Sequence, residues 1–220
     1  MAKRKVLLLV GGAWYHDQPE HREVLFQILS PEFDVTMADE PSVLTLENLA
    51  GYDVIANYSS WWEPTEAQCR AMLDAVQRGK GFACLHPSSA SFFNSPEYLQ
   101  MIGGAFVMHD PFKRFQVQLG GESGHERWMQ RKGLAQPKPR HPIIAGIEDF
   151  EVDDELFYIQ GNQNEWEILA RAEGHPVVYN TRWGKGRVFN IALGHDDRSL
   201  TNPNVRQLYI RGIQWAAGDL

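Results

Sequence analysis

The sequence predicts an α/β protein with a mostly parallel sheet, helices on both of its faces, and an antiparallel portion added in the C-terminal half. Three observations carry this expectation. Short continuous apolar runs alternate with helical stripes through the first half, as strands buried on both faces and joined by crossover helices require. From Ala105 the pattern changes to two-residue alternation. Finally, "PVVYNTRWGKGRVFNIALGH" reads as a hairpin of β-branched and aromatic strands around Trp183-Gly184-Lys185-Gly186.

Taken in order, Lys5 to Val10 is the first strand, and Gly11 and Gly12 open a polar loop. Val24, Leu25, Ile28 and Leu29 mark one face of a helix over Glu20 to Leu29. Phe33 to Met37 and Asp53 to Asn57 are the next strands. Thr65 and Gln68 have capping-box spacing ahead of the stripe Cys69, Met72, Leu73 and Val76, and Gly79 can close that helix in a left-handed conformation. Phe82 to Leu85 is a fourth strand, and "AFVMHDPFKRFQVQL" is a strand interrupted at Pro111. Glu122 to Arg140 is polar and aperiodic, so it reads as a long surface loop, a candidate lid. Asn202 caps and Pro203 begins a closing helix with Val205, Leu208, Tyr209 and Ile213 on its apolar face and Gly218 past its end. No repeat or low-complexity segment divides the chain, and a single domain over residues 1–220 is expected.

Composition narrows the partners. A formal net charge of −7 repels phosphate backbones, which argues against nucleic acid. No apolar run approaches the roughly 18 residues that span a bilayer. The basic start "MAKRKVLLLVGG" lacks a signal peptide's cleavage site and reads as a strand, so a cytoplasmic location is expected. Cys69 and Cys84 fall in helix and strand patterns and are read as reduced core thiols.

Four stretches, "GKGFACLHPSSASF", "IGGAFVMHDPF", "HPVVYNTRWGKGRVFNIALGHD" and "NPNVRQLYIRGIQWAAG", resemble the ThuA-like (trehalose utilization) family, which has the fold of class I glutamine amidotransferases. The resemblance covers nearly the whole chain. It implies a flavodoxin-like sheet with an added antiparallel portion, and a role in carbohydrate utilization, on trehalose, another disaccharide or a keto-sugar. In amidotransferases the strand after which the nucleophile sits ends in G-x-C-x-G. Here the matching pentapeptide is Cys84-Leu85-His86-Pro87-Ser88, so an imidazole replaces the thiolate and glutaminase activity is not expected.

Ligands of open α/β sheets bind beyond the carboxyl ends of the strands, and His16, His86, His109 and His195 all sit at predicted strand ends or loop starts. His86 and His195, with Asp196, are the candidate acid–base residues. The same imidazoles, His16, His86 and His195, suit a divalent transition metal such as zinc, although no H-E-x-x-H or paired C-x-x-C motif is present. His21, His125, His141 and His175 are read as structural or solvent-facing. Sugar sites pair aromatic platforms with polar rims, which nominates Tyr15, Trp61 and Trp62, with Trp14 and Tyr58 nearby, alongside His16, Ser88 and His109 as substrate contacts. Ser88, Ser89 and Ser91, after the elbow, could donate hydrogen bonds or supply a hydroxyl nucleophile, but capping a helix start is the favoured reading. Glu63 and Glu155 are further acid or base candidates. Gly11-Gly12 lacks the G-x-G-x-x-G spacing of a dinucleotide site. Three readings follow: an enzyme acting on a small carbohydrate, a non-catalytic sugar- or partner-binding module, and a metal-dependent hydrolase. Exposed aromatics would also serve a contact between copies, so a homo-oligomer is a further expectation.

Overall fold

Successive side chains of the first strand, β1 (Lys5–Gly11), point to opposite faces of the sheet and build two cores. Val6, Leu8 and Val10 enter one apolar cluster, and Leu7 and Leu9 enter the other. This computed structural model describes residues 2–136 and 139–220. The chain continues through α1 (Pro19–Leu29), β2 (Asp34–Ala38), α2 (Leu46–Leu49), β3 (Val54–Ser59), α3 (Glu66–Gln77), β4 (Gly81–Leu85) and α4 (Pro96–Ile102). The second half holds β5 (Gly104–His109), β6 (Lys113–Leu119), α5 (Gly124–Arg131), β7 (Phe150–Asp154), β8 (Phe157–Gly161), β9 (Glu167–Ala172), β10 (His175–Trp183), β11 (Gly186–Ile191), α6 (Asp197–Leu200) and α7 (Pro203–Ala217).

The large sheet has the order β2-β1-β3-β4-β11-β10-β9-β6-β7. Its first five strands are parallel and follow the flavodoxin-like order, with β11 as the fifth. The added antiparallel strands extend the same sheet, beginning at the β10–β11 hairpin. Residues of α1 and α7 share a cluster with Val6 and Leu8, whereas those of α3 and α4 share the other, so both faces are covered. Thr65 and Gln68 form the expected capping box, and Asn202, Pro203 and Gly218 bound α7 as the sequence implies.

Two expectations change. The segment around Pro111 becomes two strands in different sheets: β5 pairs with β8 in a separate ribbon, and β6 joins the large sheet between β9 and β7. The supposed loop 122–140 contains α5, closed by a capping box between Ser123 and Glu126. That helix buries no residue, so it leaves no core-facing stripe to read from sequence. Positions 137 and 138 of the supposed loop lie outside the described residues.

The turn after β1 depends on Gly12, whose φ is +104° and whose added Cβ would lie 1.7 Å from the Ser60 carbonyl oxygen. Gly12→Ala therefore combines a left-handed backbone with a clash against main chain, and a loss of about 3 kcal/mol or more is expected in urea denaturation. Wild-type stability in that variant would show that the β1 turn is not held against β3 in this way.

Candidate functional site

The β4 elbow turns at His86, which holds a φ of 24°, a conformation that a residue with a side chain adopts only under constraint. Its ring is fully buried, and Nδ1 lies 2.9 Å from the Ala192 carbonyl oxygen. Nδ1 is therefore the protonated nitrogen, and Nε2 carries a lone pair that is buried without a partner. The Cys84 thiol, two residues earlier, accepts a hydrogen bond from the Ser88 hydroxyl at 3.0 Å, and burial pushes its pKa up to about 12.

His16 comes from the turn after β1 and His195 from the loop after β11. Strand β3 lies between β1 and β4, so the loops bearing His16 and His86 are separated by a strand rather than adjacent, but the rings still meet. Ring centroids are 5.3 Å apart for His16 and His86, 4.9 Å for His16 and His195, and 5.6 Å for His86 and His195. Glu155, between β7 and β8, completes the group. One donor atom from each of His16, His86, Glu155 and His195 lies within 4.8 Å of all the others.

Proton accounting shows what is unusual here. His195 Nδ1 bears at most one hydrogen, yet it lies 3.1 Å from both His16 Nε2 and Glu155 Oε2. One hydrogen satisfies only one of these contacts. Burial, reinforced by the neighbouring His195, His21 and His109, lowers the His16 pKa to about 3. Burial likewise drives His86 well below the ordinary imidazole value, with His16 and His195 adding to the effect. Burial also disfavours a charge on His195, but the hydrogen bond and charge of Glu155, with Asp154 and Asp196, outweigh it and raise its pKa. Two neutral imidazoles, a third imidazole and the Glu155 carboxyl group around one point are a donor set suited to a divalent transition metal. Two of the donor–donor contacts, both of His195 Nδ1, are 3.1 Å, near the roughly 3.3 to 3.6 Å ligand–ligand edges of tetrahedral zinc, while the set as a whole is bounded at 4.8 Å, so the donors would draw together around an ion.

Above this cluster lies a pocket of about 340 Å³. Tyr15, Trp61, Phe106 and Phe157 line it together with His16, His109, Glu155 and His195. Trp61 Nε1–H donates to the Tyr15 hydroxyl at 2.9 Å, which ties two walls together. His109 Nδ1 lies 2.8 Å from the Asp110 carbonyl oxygen, so its hydrogen is committed there and Nε2 is left toward the pocket.

Other nominated residues lie elsewhere. Trp62 is buried in the core, where its ring edge would meet a Cβ on Gly11. Ser88 is sealed behind the elbow, and Tyr58 is a buried strand residue whose hydroxyl donates to the Gly194 carbonyl at 2.6 Å. Asp196 caps α6 and pairs with Arg198, and it does not line the pocket. The carboxylate at the cluster is Glu155 instead. Ser89 donates to the His86 carbonyl and Ser91 accepts from the Trp62 amide, so neither caps a following helix; Ser95 caps α4. Glu63 is exposed outside the pocket, and His141 caps a short turn rather than starting a strand.

The profile of the ThuA family, described as trehalose utilisation, matches residues 5–216. The chain belongs to the ThuA family. A ThuA-like protein from Parabacteroides merdae is 21% identical with a TM-score of 0.78, covering 98% of this chain and 90% of its own. A ThuA-like protein from Bacteroides uniformis is 16% identical with a TM-score of 0.71, covering 98% and 92%. A cytoplasmic protein from Salmonella typhimurium is 14% identical with a TM-score of 0.67, covering 96% and 99%. At such identities these are likenesses of fold, and they give the ThuA chain its α/β architecture. No curated protein matches it. Among the described residues, no helix is long and apolar enough to cross a membrane.

The lowered His16 pKa has a signed consequence for stability. Its ordinary value is about 6.5, so between there and the folded value of about 3 the unfolded chain binds the proton and the folded chain does not. This contribution is present above pH 6.5 and is lost as pH falls toward 3. In chelator-treated protein, urea midpoints taken from about pH 7 to pH 4 should fall less steeply for His16→Leu than for wild type. Parallel slopes would show that His16 is not held neutral by burial.

Proposed function

We propose that this ThuA-family chain is a metal-dependent enzyme of carbohydrate utilisation acting on a small sugar derivative, a disaccharide or keto-sugar, in the pocket over the histidine cluster. The observation that carries this reading is the meeting of three imidazoles and one carboxylate, from four separate segments, within 4.8 Å beneath an aromatic-walled cavity. His16, His86, His195 and Glu155 would hold the cation, with zinc the metal best suited to this nitrogen-rich set. A divalent ion bound there would supply Lewis-acid polarisation of a sugar carbonyl or hydroxyl oxygen that joined the four protein donors as a fifth ligand.

The chain's own residues do the rest. His86 is a ligand rather than an acid or base, because its ring is sealed and its Nδ1–H is committed to Ala192. His109, at the pocket wall, is placed to take or return a proton of the bound sugar. Tyr15, Trp61, Phe106 and Phe157 receive the apolar C–H faces of the sugar and exclude water. Glutamine hydrolysis has no part in this reading, since the elbow presents an imidazole and the Cys84 thiol is buried and poorly ionised. Residues 1–220 act as one domain. Free, buried Cys69 and Cys84 suit the reducing cytoplasm.

Elemental analysis of the purified protein tests the reading, and near-stoichiometric zinc, manganese or iron is expected. Glu155→Gln and His195→Ala should lower that content and reduce turnover at least about 100-fold on any sugar that wild type converts. Candidate sugars are found by thermal shift across disaccharides and keto-sugars. Trp61→Ala should raise KM about tenfold while leaving the metal in place. Full activity in metal-stripped protein would refute the proposal.

A further inference from the structure

Asp154, the last residue of β7, is fully buried, and its carboxylate gathers four donors. Oδ2 accepts the Gly194 amide at 2.7 Å and the Ser199 hydroxyl; Oδ1 accepts the Glu155 amide at 2.8 Å and the His195 amide at 3.2 Å. Two of those amides belong to members of the cluster itself. Glu155 is its chain neighbour, whereas His195 is brought from a loop that the sequence places about forty residues away, so this one carboxylate joins segments that nothing in local structure would keep in register. The opposite side of that loop is held by hydroxyls: Tyr58 donates to the Gly194 carbonyl at 2.6 Å and Tyr209 to the Leu193 carbonyl at 2.9 Å. Gly194 fits between them because its φ is +120° and a Cβ there would lie 2.2 Å from the Tyr209 hydroxyl oxygen.

We propose that Asp154 is a positioning residue for the centre: by binding the amides of Glu155, Gly194 and His195 on one rigid carboxylate, it fixes the 3.1 Å approach of Glu155 Oε2 to His195 Nδ1. This rests on the reading of the cluster as a metal centre. A carboxamide in its place could not serve. It would offer one acceptor oxygen, and its NH₂ would face N–H and O–H donors across the other position. A displaced loop would leave His195 and Glu155 present but misaligned, and partners behind metal ligands of this kind typically govern affinity by 10- to 100-fold.

The test compares wild type with Asp154→Asn by cobalt(II) titration, read by visible absorption, and by amide hydrogen exchange at residues 193–195. The variant should remain folded by circular dichroism, bind cobalt about 10- to 100-fold more weakly with an altered ligand-field spectrum, and lose about tenfold or more of its amide protection at Gly194 and His195. A residue serving only the fold would lower Tm without changing the spectrum of the folded protein. Wild-type cobalt affinity and spectrum in Asp154→Asn would overturn the proposal. If that variant does not fold, Asp154→Glu, which keeps the charge but shifts the oxygens by a methylene, is read in the same way; failure of both to fold also overturns it. Should wild type itself take up no cobalt, the metal reading falls, and the exchange data alone decide the role of Asp154: unchanged protection at 194–195 defeats it.

Discussion

A buried polar atom without a hydrogen-bond partner costs about 1–3 kcal/mol, and this protein keeps two of them in one place, His16 Nδ1 and His86 Nε2. Beside them His195 Nδ1 is pressed against a second nitrogen and a carboxylate oxygen with at most one hydrogen to share. Cores are normally arranged so that polar atoms find partners. Here the arrangement opposes folding and favours whatever positive centre can face all four donors at once. A divalent cation would do so with one set of bonds and would reverse the local balance, because the crowded imidazoles would become ligands of a common charge.

The fold supplies the rigidity that such crowding requires. Three of the four donors follow parallel strands whose carboxyl ends reach the same sheet edge, and the fourth enters from the antiparallel extension through the β7–β8 connection. Parallel strands need crossover helices, so each donor loop is anchored between two buried elements. The strained elbow at His86, with φ of 24°, carries a group suited to coordination. Tyr15, Trp61, Phe106 and Phe157 stand as aromatic walls above the cluster.

Much of this is legible in the sequence, for reasons that can be assigned. Continuous apolar runs such as Lys5 to Val10, and the hairpin glycines at 184 and 186, report on strands because burial dictates both patterns. Histidines at strand ends point to the edge where His16, His86 and His195 meet. Other features leave weaker marks. Helix α5 buries nothing, so no stripe betrays it. Glu155 outranks Asp196 at the cluster only because β7 and β8 place it there, and long-range pairing of this kind has no local periodicity. Trp62 and Tyr58 look like neighbours of Trp61 in a platform, but alternation along the strand and its exit turns them into the core while Trp61 stays at the pocket. Asp154 carries no sequence signal at all: its significance lies in four donors drawn from two distant segments.

The central claim is that four donors, supplied by separate loops, share one cation. Crystals grown with zinc and measured on both sides of its absorption edge test this most directly. A single strong anomalous peak is expected within about 2.0 to 2.2 Å of nitrogens of His16, His86 and His195 and an oxygen of Glu155. Density that shows these side chains hydrogen-bonded only to water or to one another, with zinc bound elsewhere or nowhere, would contradict it.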